Sequence, residues 1–168
     1  LAGCQSMPAR SARANSDWSR GVRVGTACLN NPVAMVVDEG DGGIHLLWIA
    51  EDDAEQQVLR YARLNPAGKI ITTSDLDVPS VRPNQPRLAR DADGGLHATW
   101  LARDGAVYRL HYALLDAAGR PVAGPDLISP PGVPVHSHTS VPSPAGGIDI
   151  LWGSIEDPEP GLYHARIA

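Results

Sequence analysis

Short apolar runs alternate with polar residues along almost the whole chain, and glycine or proline breaks them too often for helices. Val33 to Val37, Ile44 to Ile49, Val58 to Leu64 and Lys69 to Thr73 each read as a strand. The turn signals between them are Asp41-Gly42-Gly43, the stretch Glu51 to Gln57, and Asn65-Pro66-Ala67-Gly68. Four strands joined by three turns make one antiparallel meander.

The meander recurs. Gly42-Gly43-Ile44-His45-Leu46-Leu47-Trp48 is matched by Gly94-Gly95-Leu96-His97-Ala98-Thr99-Trp100 and by Gly146-Gly147-Ile148-Asp149-Ile150-Leu151-Trp152, which places a tryptophan every 52 residues. Tyr61, Tyr112 and Tyr163 follow at intervals of 51. Equal spacing of about 50 residues carried by strands predicts propeller blades stacked side by side. The fold expected is all-β and β-propeller-like, with blades at residues 32–80, 81–130 and 131–168. The first repeat runs from Pro32, the second covers Pro86 to Ser129, and the third, from about His138 to Ala168, holds only three strands. A spare strand at Gly21 to Leu29, within residues 18–31, is expected to complete that last blade. Closed rings are typically built from four to eight blades, so three leave two expectations open. Either further blades lie beyond this sequence, which the incomplete start favours, or chains share a ring as a homo-oligomer.

Composition narrows the partners. The 168 residues carry 14 basic and 19 acidic side chains, a formal net charge of −5, which argues against nucleic acid because phosphate binding wants a basic face. No apolar run approaches the roughly 20 residues of a membrane-spanning helix. Seventeen glycines, 15 prolines and no phenylalanine suit short strands and many turns.

Leu1-Ala2-Gly3-Cys4 resembles the lipobox of bacterial lipoproteins, in which the cysteine thiol carries lipid, and a polar stretch at residues 5–17 follows as a tether would. That resemblance implies a bacterial envelope protein anchored to a membrane through Cys4. Cys28 is then a small buried apolar residue without a disulfide partner.

The repeated tryptophans and tyrosines are expected to pack blade against blade, with the tyrosine hydroxyls bonded to a neighbouring strand. His45, His97 and Asp149 occupy one repeat position. They read as polar side chains that fix the Gly-Gly turns rather than as a metal triad, so no metal and no cofactor is expected. Connections at the other end of the sheets differ between repeats and carry charge, so binding is expected there. Arg82, Arg87, Arg103, His136 and His138 are the candidate ligand-binding residues, suited to gripping a carboxylate or a sugar acid. Glu51, Asp53 and Glu156 are the weak candidates for an acid or base.

Taken together, the recurring Asp, Gly-Gly, Ile or Leu, His and Trp, then Tyr and a glycine turn, resembles the repeats of sialidase-like propellers. The resemblance implies a glycan or protein ligand or, alternatively, a glycosidase or polysaccharide lyase. Asp93, Gly95, Thr99 and Trp100 contain the letters of that family's Asp-box, but three residues separate Gly95 from Thr99 where one is expected.

Overall fold

The computed structural model describes residues 23–26, 32–78, 82–155 and 160–168. Among them are eleven strands and no helix. The first sheet holds β1 (Ala34–Val37), β2 (Ile44–Glu51), β3 (Gln57–Leu64) and β4 (Ile70–Asp75) in sequence order. The second holds β5 (Asn84–Arg90), β6 (Leu96–Asp104), β7 (Val107–Leu115) and β8 (Pro121–Leu127), and the third β9 (Ser137–Pro142), β10 (Ile148–Ser154) and β11 (Gly161–Ile167). Every pairing is antiparallel.

The turns repeat for a chemical reason. In the first turn of each sheet, Asp38, Asp91 and Ser143 each donate their N–H to a glycine carbonyl, and their own carbonyls accept a glycine N–H four residues ahead at Asp38 and three ahead at Asp91 and Ser143. Gly42, Gly94 and Gly146 sit at φ of 70°, 88° and 91°, where a side chain is disfavoured. The turn after the third strand is built around Asn65 and Asp116, whose side-chain oxygens each accept two backbone N–H groups.

The sheets pack face to face, with β1 beside β5 and β5 beside β9. The outer strands β4 and β8 are largely exposed. Leu47, Ile49, Leu59 and Tyr61 from the first sheet meet Ala98, Trp100 and Ala113 from the second. Leu101, Leu110 and Tyr112 from the second meet Ile148, Ile150 and Trp152 from the third. The Trp100 and Trp152 faces therefore lie on the tyrosine faces of the preceding sheets, as blade packing requires.

Two joints make the first seam specific. The Tyr61 hydroxyl donates to the Ala117 carbonyl at 3.0 Å, and Ser74 Oγ donates to the Ala118 carbonyl at 3.2 Å. Both acceptors belong to the β7–β8 turn, whose Gly119 lies against the Tyr61 ring.

Two expectations need correction. Residues 23–26 of the expected closing strand form no strand and do not extend the third sheet. Val24 packs with Trp48, and the Trp48 indole donates to the Thr26 carbonyl at 3.0 Å, so this segment covers the first sheet's tryptophan. The indole N–H needs an acceptor, and the segment's backbone supplies one. The rest of that expected strand, Cys4, the tether and Cys28 lie outside the described residues.

Tyr163 is the second correction. Tyr61 lies opposite Leu47 and Tyr112 opposite Thr99, but Tyr163 lies opposite Trp152 and stacks on it, with centroids 5.5 Å apart and planes at 8°. One residue of phase moves a strand side chain to the other face. His164, opposite Leu151, takes the position that tyrosine holds in the other sheets.

Candidate functional site

The three equivalent positions that a metal triad would need are each committed within their own sheet. His97 Nε2 lies 2.9 Å from Asp91 Oδ2, and its Nδ1 lies 3.0 Å from the Tyr112 hydroxyl. The carboxylate accepts only, so Nε2 carries the proton there and Nδ1 accepts from Tyr112. His45 is arranged the other way. Tyr61 gives its hydroxyl proton to Ala117, so His45 Nδ1, 2.7 Å from that oxygen, is the donor. Its Nε2 is buried without a partner, 3.8 Å from Asp38. Asp38 is drawn instead to Arg90 of the second sheet, 2.7 Å away.

In the third sheet, Arg166 and then His164 bond Asp149 and hold its carboxyl well below the usual carboxylate range. The histidines thus bond aspartate and tyrosine side chains, not the turn backbone that the repeat pattern suggested. Among the described residues no group of three metal-ligating side chains converges.

The candidates at the loop end divide. Glu51 ends β2, and Asp53 sits exposed in the β2–β3 turn. Arg103 donates to the Gly105 carbonyl at the tip of the β6–β7 hairpin. Glu156 lies outside the described residues. Arg87 and His138 lie close enough for the Arg87 charge to act on the His138 ring, on adjacent strands β5 and β9, and His136 reaches the same loops through its backbone carbonyl.

Their placement follows from an unusual backbone at the entry to β5. Arg82 and Gln85 hold φ of 49° and 47°, uncommon for residues with side chains, and a bulge interrupts the β5–β6 register between Asn84 and Arg87. Strained residues of this kind cluster at functional sites. Gln85 Nε2 donates to the His136 carbonyl at 3.0 Å and ties the two loops together. Beyond the bulge, Arg87 is half-buried; its guanidinium donates to the Pro86 carbonyl and has no carboxylate partner among the described residues.

His138 is buried against β6, with Nε2 3.1 Å from Thr99 Oγ1 and Nδ1 without a partner. Thr99 Oγ1 in turn donates to Ser140 Oγ at 3.4 Å. Burial first, then the nearby Arg87 charge, push the His138 pKa down to about 4. The ring is neutral at pH 7 and offers a donor or acceptor rather than a charge.

That shift has a pH consequence. The unfolded histidine, near 6.5, binds its proton before the folded one does, so stability is complete above about pH 6.5 and falls as pH drops toward 4. The loss approaches about 3 kcal/mol at the lower limit. Urea unfolding between pH 6.5 and 5 is expected to show this slope, and His138→Gln to flatten it.

The loops were expected to open the only pocket end, yet a cleft of about 770 Å³ opens at the opposite end, among the Gly-Gly turns. Sequence reasoning missed it because those turns are short and alike. The signal available was Glu39, Arg90 and Ser143, three different residues next to equivalent turns.

No protein-family model and no curated protein matches the sequence. Among solved structures, the endo-arabinase from Bacteroides thetaiotaomicron VPI-5482 superposes with a TM-score of 0.54 at 15% identity. The match covers 81% of this chain and 55% of that one, so the chain spans about half the length of that enzyme. The likeness is one of fold, a β-propeller-like arrangement of antiparallel sheets.

Proposed function

We propose that this chain is a glycan-binding propeller domain of a bacterial envelope lipoprotein, carried on a membrane by lipid at Cys4. The observation that carries the binding role is the Arg87–His138 cluster. A half-buried guanidinium with no carboxylate partner among the described residues stands beside a buried, neutral imidazole that leaves its charge uncancelled, at the start of two adjacent inner strands. Such groups bind oxygen-rich ligands through charged and neutral hydrogen bonds. The fold shared with an endo-arabinase supports a glycan as the ligand class, and the lipobox-like Leu1 to Cys4 supports the anchor.

Calorimetric titration of the full chain with arabinan and uronate oligosaccharides tests the reading. Saturable binding is expected, weakened by roughly 10- to 100-fold in Arg87→Ala, the scale of a hydrogen bond to a charged group. An unchanged affinity in Arg87→Ala, or no binding by any of these glycans, counts against it. A glycan-cleaving enzyme is the second reading, favoured by the neighbour's activity. Release of reducing ends from the same oligosaccharides would establish it.

A further inference from the structure

The cleft among the Gly-Gly turns is a second site, distinct from the Arg87–His138 cluster and at the other end of the sheets. All three sheets contribute to it, and its volume of about 770 Å³ falls within the range of small-ligand sites. Its walls are mixed: Val37 at the end of β1, Ala92 beside β5, and Pro142 and Pro144 around the β9–β10 turn supply the apolar part, and Glu39, Arg90 and Asp91 the charged part. Val37 is about half exposed, at 49%.

The charges lining the cleft do not cancel. Arg90 is matched inside the protein by Asp38, at 2.7 Å. Asp91 accepts from the Gly95 N–H at 2.6 Å and bonds His97, whose contact is the main reason its carboxyl stays below the usual range. Glu39 stands exposed on the rim with no hydrogen-bond or ion-pair partner among the described residues. With Arg90 paired to Asp38, the charge left at the cleft is negative, Glu39 exposed at the rim and Asp91 bonded beneath it, next to the apolar strip of Val37 and the two prolines, and the whole chain carries the same sign at −5.

We infer that this cleft binds a lysine-bearing peptide segment of a protein partner. A lysine suits it because its four-carbon stem covers apolar surface while its ammonium stays at the rim. The stem would lie along Val37 and the two prolines, with the ammonium donating to Glu39. An acidic segment would meet repulsion from Glu39 and Asp91. A neutral glycan would leave the rim charge unmatched.

The test uses the full chain and an acetylated, amidated pentapeptide of alternating alanine and lysine, followed through the methyl signals of Val36, Val37 and Ala92. Saturable shifts confined to these methyls are expected, weakening as salt rises from low to physiological strength. Glu39 is exposed and has no partner among the described residues, so its replacement leaves the fold intact, which circular dichroism verifies. Glu39→Gln is expected to weaken binding about threefold, the scale of an exposed ion pair, and Glu39→Lys by about tenfold or more. Equal binding of the corresponding glutamate peptide, an unchanged affinity in Glu39→Lys, or the same methyl shifts with a neutral oligosaccharide would each overturn the assignment.

Discussion

Trp100→Ala is expected to lower the unfolding free energy by about 3–5 kcal/mol, the range for deleting a large buried aromatic side chain. Trp100 is fully buried in the cluster formed with Leu47, Leu59 and Tyr61 of the first sheet, and it stacks on His111 with centroids 5.6 Å apart. Its indole nitrogen has no hydrogen-bond partner among the described residues, so the loss is one of packing and not of a hydrogen bond. The seam between two sheets depends on this ring, and the cavity left cannot close without moving both. Urea unfolding followed by circular dichroism gives the number; a loss below about 1 kcal/mol would mean that the sheets do not pack through it.

Gly119→Ala is expected to be nearly as damaging, and Gly68→Ala supplies its control. Both glycines occupy the same turn position, with φ of 79° and 77°, where a side chain costs roughly 1–2 kcal/mol. A methyl at Gly68 meets nothing within 4 Å, whereas one at Gly119 falls 2.1 Å from the Tyr61 ring. That ring is fully buried and its hydroxyl is committed to His45 and Ala117, so it cannot swing aside. Burial also raises the Tyr61 pKa to about 12, so no charge intrudes on the joint at ordinary pH. The extra cost at Gly119 is about 1–3 kcal/mol, the scale of an overpacked core. Equal destabilisation of the two variants, read from their denaturation midpoints, would show that the second sheet does not rest on Tyr61.

The architecture was legible because its two strongest signals are local. A tryptophan every 52 residues and glycines at fixed offsets report a repeated hairpin whatever surrounds it. Tyr163 escaped because both intervals are 51: from Tyr61 to Tyr112 a β6–β7 hairpin one residue shorter than β2–β3 keeps the face, but β10–β11 is as long as β6–β7, so the second interval of 51 falls one residue short. Only register distinguishes the faces of a strand, and a constant interval in sequence conceals a shift of one.

The meeting of Arg87 with His138 was legible, since both open inner strands of successive repeats. The bulge and the positive φ at Gln85 that set their approach were not, because glutamine gives no sign of such a backbone. The aspartate and tyrosine partners of His97 were hidden for another reason: a side chain six or fifteen residues away is brought close only by pairing.

The tyrosine-and-glycine joint has a consequence for how such a chain is assembled over evolutionary time. Tyr61 is the plug on one sheet and Gly119 the socket on the next, so a gene segment encoding one meander carries a plug for its successor and a socket for its predecessor. Duplication of that segment in frame would copy plug and socket together, yet the joint survives only where the tyrosine keeps its face, and Tyr163 shows that a slip of one residue removes the plug.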